Sequence, residues 1–118
     1  MKFLIVIPAH NEEENLPATL SALSLQSHRD FELVIVNDGS TDKTQEIIQD
    51  FIRKDGRCST VNLEKSAHQP GSKVVNAFNK GLATKTVSDF DIICKFDADI
   101  VLEPNYLAEI ANSFKKNP

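Results

Sequence analysis

Asp97 and Asp99 stand one residue apart in the stretch CKFDADIVLEP, residues 94–104, directly after a short apolar run that reads as a strand. Two carboxylates at i and i+2 repel each other at neutral pH, so something positive should offset that repulsion. A nearby Lys or Arg, or plain solvation, is the bland arrangement. The chemical one is a hard divalent cation: magnesium or manganese prefers oxygen ligands and usually sits on one or two carboxylates, completed by water and the phosphates of a ligand.

Spacing disposes of several other phosphate and metal motifs. The glycines are Gly39, Gly56, Gly71 and Gly81, which make no G-x-G-x-x-G. PGSKVV places Lys73 near Gly71 but lacks the G-K-[ST] of a P-loop. Val101 stands where an EF-hand needs an oxygen ligand, and where a phosphatase of the aspartyl-phosphate type carries Thr. What remains is a cation on Asp97 and Asp99 that also neutralises charge growing on a departing diphosphate.

The elements that must position this pair are legible in the periodicity. Residues 3–7, 33–36 and 92–96 are apolar runs rich in β-branched residues, which predicts strands buried on both faces of a parallel sheet. Val61 and Leu63 mark a weaker strand. Between them Leu16, Leu20 and Leu23 fall at helical spacing, as do Ile47, Ile48, Phe51 and Ile52, then Val75, Phe78 and Leu82. Leu107, Ile110, Ala111 and Phe114 predict a last helix, with Pro104 in its first turn. Asp42 with Gln45 predicts a capping box for the second helix.

The order β-α-β-α-β-α-β-α predicts an α/β fold, a mostly parallel sheet with helices on both faces and right-handed crossovers. PAHNEE, NDGSTD and DAD all follow predicted strands. They lie at carboxyl ends, the edge where open α/β sheets bind ligands, in the crevice where the strand order reverses.

Size and composition narrow the partners. At 118 residues the chain reads as one domain, 1–118, and a chain this long buries roughly two-thirds of its unfolded surface. With 13 Lys and Arg against 17 Asp and Glu, the net charge of −4 offers no long-range attraction to nucleic acid. Cys58 and Cys94 form no C-x-x-C pair, which argues against a zinc site or disulfide framework and for core packing in a reducing compartment. The longest apolar run, residues 3–7, is far short of the ~20 residues of a membrane span. The expectation is a soluble, cytoplasmic chain.

Four segments in order, VIPAHNEEENLPATLSAL, FELVIVNDGSTDKTQEII, GSKVVNAFNKGLA and FDADIVLEPNYL, resemble the amino-terminal half of a family 2 glycosyltransferase. The resemblance covers most of the chain and implies the Rossmann-like nucleotide-binding half of a GT-A fold. It implies transfer of a sugar from a nucleotide-diphosphate sugar, UDP- or GDP-linked, to an acceptor hydroxyl, with inversion and with Mn2+ or Mg2+. Pro8, Ala9, His10, Asn11 and Glu12 then occupy the loop that cradles the nucleoside, Glu12 being a candidate ribose contact. Asp38 occupies the acid that reads the nucleobase, and Asp97 and Asp99 are the metal and diphosphate pair. AFNKG keeps Ala77, Asn79 and Gly81 of the family pattern but has Phe78 in the slot where members often carry Arg or Leu, so an arginine role is lost there. Lys73 is the candidate for the missing positive charge.

Each assignment has a structural counterpart. Pro8 can end a strand, Asp38 can form an Asx-turn with Gly39, His10 can shape the backbone by hydrogen bonding, and Lys73 can be a solvated helix residue. His28, His68, Glu13 and Glu14 are expected in solvent. The resemblance places the catalytic base well downstream, in a half that also binds the acceptor glycan, lipid carrier or protein. No residue here is therefore assigned as base, and the chain is expected to be a truncated donor-binding half, inactive towards acceptor on its own. Its uncovered sheet edge is expected to favour a homo-oligomer, and the full-length protein is compatible with the inner face of a membrane. The alternatives are a non-catalytic nucleotide-sugar-binding module and a nucleotidyltransferase, the latter disfavoured by a first loop without a glycine-rich basic stretch.

Overall fold

The computed structural model describes residues 1–63 and 70–116, with residues 70–75 as helical backbone. The elements run β1 (Phe3–Ala9), α1 (Leu16–Ser24), β2 (Phe31–Asp38), α2 (Thr44–Lys54), β3 (Cys58–Leu63), α3 (Pro70–Leu82), a short 3-10 turn (Val87–Asp89), β4 (Ile92–Lys95) and α4 (Tyr106–Lys116). All strand pairs are parallel, in the order β3-β2-β1-β4. The predicted α/β class and alternation are what the chain adopts.

Alternation along β1 splits the core in two. Phe3, Ile5 and Ile7 face α1, α2 and α4 with Leu33 and Ile35, whereas Leu4 and Val6 face the opposite layer with Val34, Val36 and Ala77 of α3. Residues 3–7 of β1 are fully buried on both faces of the sheet, which is why that run has no polar alternation. The α3 layer packs very close. A Cβ added at Gly81 would come within 2.7 Å of Val6 Cγ1 and 2.8 Å of Val36 Cγ2. Ala77, one turn earlier and likewise buried, keeps the same helix face small.

Several local expectations are corrected. The run 92–96 is not buried on both faces: β4 ends at Lys95, and Ile93 is 38% exposed. As the edge strand it has one neighbour, and α3 lies over β1, β2 and β3 instead. The capping box does not form. Asp42 Oδ1 accepts from the backbone N–H and hydroxyl of Thr44 at 2.9 and 2.5 Å, but Gln45 Oε1 accepts from Asn37 Nδ2 at 2.6 Å. Pro104 precedes α4, in the turn before Tyr106. His28 is half-buried rather than solvated: its Nε2 donates to the Met1 carbonyl at 2.7 Å, and its ring meets Phe3 edge-on. His68 lies outside the described residues.

Buried Gln26 fastens α1 to α4. Its Nε2 donates to the Glu103 carbonyl at 2.6 Å, and its Oε1 accepts from Leu107 N–H at 3.0 Å. Cys58 is a core residue whose thiol burial pushes up to about 12, so it stays protonated at neutral pH. No helix among the described residues is long and apolar enough to cross a membrane.

Candidate functional site

The chain builds outward through β1, β2 and β3, then returns over the opposite face in α3 to lay β4 beside β1. The strand order therefore reverses between β1 and β4, and the crevice beyond their carboxyl ends is the place where such sheets take ligands. Pro8 opens that crevice. The carbonyl of Val6 accepts from Phe96 N–H at 3.1 Å, so residue 8, two positions on, faces the same neighbour. Proline has no N–H to offer there, and β1–β4 pairing stops at Val6 with Lys95 while β1–β2 pairing continues to Ala9 with Asn37. Pro8 thus ends one ladder without ending its strand.

The loop after β1 is fastened to the loop after β2. His10 Nδ1 lies 2.6 Å from the Asp38 carbonyl. Asn11, in the left-handed region at φ 52°, donates its N–H to Ser40 Oγ at 3.0 Å and accepts from Thr41 N–H at 2.8 Å through Oδ1. Asn tolerates that conformation better than most residues. Glu12 N–H donates to Thr44 Oγ1 at 2.9 Å, and Glu13 N–H to Asp42 Oδ2 at 3.3 Å. Desolvation pushes the Asp42 carboxyl up, but the hydrogen bonds from Thr44 and Glu13 outweigh it and hold Asp42 below the usual carboxylate range. Ala9 is buried, Pro8 and Glu12 are half-buried, and His10 and Asn11 are exposed.

Asp38 closes β2 and is only 8% exposed. The side chain that closes this turn is its neighbour's: Asn37 Oδ1 accepts from Ser40 N–H, three residues on, at 3.3 Å. Gly39 takes the left-handed φ of 62° and donates to the Leu63 carbonyl at 3.0 Å. Among the described residues no side chain bonds the Asp38 carboxylate.

In the third segment buried and exposed residues alternate. Phe96 and Ala98 are buried while Asp97, Asp99 and Val101 are exposed. Both carboxylates therefore face solvent, and Ile100 N–H closes a turn onto the Asp97 carbonyl at 3.3 Å. The bland neutralising partner is present on one of them: Lys95 Nζ lies 3.7 Å from Asp97 Oδ1. The Asp97 side chain is 70% exposed, so this pair contributes little. The described residues hold no group of three or more His, Cys, Asp or Glu placed to hold a metal ion together. Two exposed carboxylates suit a cation that keeps water and phosphate oxygens in its remaining positions.

Thus the structure brings together Pro8, Ala9, His10, Asn11, Glu12 and Asp38 through β1–β2 pairing and direct loop contacts, and sets Asp97 and Asp99 across the β1–β4 crevice. Lys73 lies in α3, but its side chain is outside the described residues. A groove of about 640 Å³ between α1 and α2, floored by Leu20, Ile47 and Phe51, contains none of these residues. Periodicity did not single out Asn37, Ser40, Thr41 or Thr44. Their available signal was the density of Ser, Thr and Asn in NDGSTDKT after a strand.

Residues 4–118 match the model of glycosyl transferase family 2. The chain belongs to this family. Poly-beta-1,6-N-acetyl-D-glucosamine synthase of Staphylococcus epidermidis is 32% identical over 113 residues, 96% of this chain and 25% of that protein. Undecaprenyl-phosphate 4-deoxy-4-formamido-L-arabinose transferase of Pseudomonas aeruginosa is 28% identical over 90% of this chain and 30% of its own length. This family 2 chain thus spans about a quarter to a third of the curated relatives it matches. The crystal structure of S. aureus TarS residues 1–349 in complex with UDP-GlcNAc aligns with a TM-score of 0.82 at 25% identity, over 98% of this chain and 32% of that one. Mannosyltransferase PcManGT from Pyrobaculum calidifontis, in complex with GDP-Man and Mn2+, aligns at 0.78 and 20% identity over 93% of this chain and 31% of that one. The fold is the GT-A arrangement.

Proposed function

We propose that the carboxyl-end rim binds a nucleotide-diphosphate sugar, UDP- or GDP-linked, and serves as the donor site of a metal-dependent glycosyltransferase that inverts the anomeric carbon. One observation carries the reading: in a family 2 chain, the exposed Asp97 and Asp99 lie at the switch point between β1 and β4, opposite the loop fastened to Asp38. The UDP-GlcNAc complex of TarS supports a nucleotide sugar, and the Mn2+ of the PcManGT complex is in keeping with a cation.

In this reading Asp38 accepts hydrogen bonds from the base edge in a mostly buried position, and residues 8–12 shape the wall beside the nucleoside. Lys73 is assigned to the base or the phosphates. Asp97 and Asp99 hold Mn2+ or Mg2+, which when bound offsets charge on the leaving diphosphate. The acceptor proton needs a base on the opposite face of the sugar, and none of these rim residues is given that part. The acceptor is a glycan, lipid carrier or protein, and a lipid carrier would place the whole protein at the cytoplasmic face of a membrane. The outer edge of β4, which pairs only with β1 among the described residues and leaves Ile93 exposed, is the surface assigned to self-association.

Calorimetric titration with UDP and GDP, with Mn2+ or with chelator, tests this. Binding should weaken at least about tenfold with chelator, in line with loss of a charge-assisted ligand. Asp97→Asn and Asp99→Asn should each abolish the difference. Equal affinity with and without chelator in the unmodified chain would sink the metal role.

A further inference from the structure

Thr19 is an unusual helix residue. It lies inside α1 and is 2% exposed. A mid-helix threonine commonly turns its hydroxyl back to the carbonyl four residues before, and here that contact, to Asn15, is a long 3.4 Å. The shorter bond runs 79 residues along the chain, from Thr19 Oγ1 to the carbonyl of Ala98 at 2.9 Å. That carbonyl belongs to the Ala98–Asp99 peptide, inside the Asp-x-Asp. β4 has already ended at Lys95, so no strand ladder reaches it.

The bond has a directional consequence. Ala98 is buried and its two flanking carboxylates are exposed, and a slip of one residue would turn those carboxylates into the apolar layer that holds Phe96 and Ala98. Thr19 also connects this turn to the other side of the crevice. α1 begins where the first loop ends, its first turn anchored by Leu16 N–H to the Glu12 carbonyl at 2.9 Å. One helix therefore carries the wall at residues 8–12 and, through a single hydroxyl, the carboxylate pair.

We infer that Thr19 is a positioning residue: its hydroxyl fixes the register of the turn at residues 97–100, so that Asp97 and Asp99 present their carboxylates together to the cation and diphosphate. The inference rests on the proposed donor site and names a residue behind it that touches neither ligand. Groups that orient metal-binding residues typically change metal affinity or activity by about 10- to 100-fold when removed.

The test compares Thr19→Val, which keeps the shape and removes the hydroxyl, with Thr19→Ser, which keeps the hydroxyl, in the full chain. Three quantities are read: UDP or GDP affinity with Mn2+, affinity for the bare nucleoside, and hydrogen exchange at the Ile100 amide. Thr19→Val should weaken Mn2+-dependent diphosphate binding by about tenfold or more and speed exchange at Ile100. Nucleoside affinity should stay unchanged, and Thr19→Ser should match the unmodified chain throughout. Unchanged diphosphate binding and unchanged exchange in Thr19→Val would overturn the inference. So would equal loss of nucleoside and diphosphate binding, since that is the mark of a merely structural hydroxyl. If the unmodified chain ignores Mn2+ altogether, the metal role of the proposed donor site fails. The exchange at Ile100, which needs no ligand, then separately decides whether Thr19 holds the turn.

Discussion

His10 Nδ1 lies 2.6 Å from the carbonyl oxygen of Asp38, joining two loops 28 residues apart in sequence. A carbonyl only accepts, so Nδ1 carries a proton and, in the neutral ring, Nε2 is the acceptor. The amide of Asn11 stands 3.5 Å from Nε2, on the side suited to donating to it. His10 thus holds the peptide of Asp38. His10→Ala should weaken nucleoside binding by about 0.5–1.5 kcal/mol, the net worth of one such bond. Asp38→Ala should cost the matching nucleoside about 1–3 kcal/mol and inorganic pyrophosphate much less, because only the former has a base edge to lose. Calorimetry with both ligands checks this, and equal losses in Asp38→Ala would return that residue to a purely structural part.

At Gly81 two effects oppose each other. Replacing a helical glycine by alanine ordinarily stabilises by about 1 kcal/mol. Here the new Cβ meets branched side chains of two central strands at 2.7 and 2.8 Å, and such overpacking costs roughly 1–3 kcal/mol. The overlap should win. Gly81→Ala is expected to lower the denaturation midpoint, and a second change, Val36→Ala, should recover part of the loss by vacating one of the two contacts. A Gly81→Ala chain at least as stable as the original would show that α3 can move away from the sheet freely.

Glu32 joins Lys2 at 3.0 Å and Lys85 at 2.8 Å near the amino-terminal end of the sheet. The hydrogen bonds from Lys85 and Lys2 hold its carboxyl below the ordinary value of 4.5, and the same contact with Glu32 raises the Lys2 ammonium above its ordinary value of 10.5. The carboxylate contribution is therefore complete above pH ~4.5 and is lost as pH falls through the lowered folded value. The Lys2 contribution is complete below pH ~10.5 and is lost as pH rises through its raised value. Glu32→Gln should cost up to about 1 kcal/mol at pH 7, given a carboxylate that is 30% exposed, and almost nothing near pH 2. Urea titrations of both chains at the two pH values check this. A cost independent of pH would assign Glu32 to packing rather than charge.

The sequence by itself determined the elements and the rim. Apolar runs at residues 3–7 and 33–36 and leucines spaced along residues 16–23 are signals within a single strand or helix, and the burial that produces them repeats with the local backbone period. The polar loops followed directly, since each carboxyl end is the end of its own strand. Tertiary structure alone decided what the polar side chains do. Gln45 lies three residues after Asp42, as a capping box requires, yet bonds Asn37 because β2 delivers Asn37 beside α2. Thr19 and Gln26 bond carbonyls of Ala98 and Glu103, 79 and 77 residues away. Ile93 resembles Ile92 in type but is exposed because β4 falls at the edge of the order β3-β2-β1-β4, beyond the cover of α3. A buried apolar side chain is satisfied by any apolar neighbour, whereas a hydrogen bond needs one particular atom in one direction. Which atom that is depends on which strand ends up alongside, and that is set only when the chain closes its sheet.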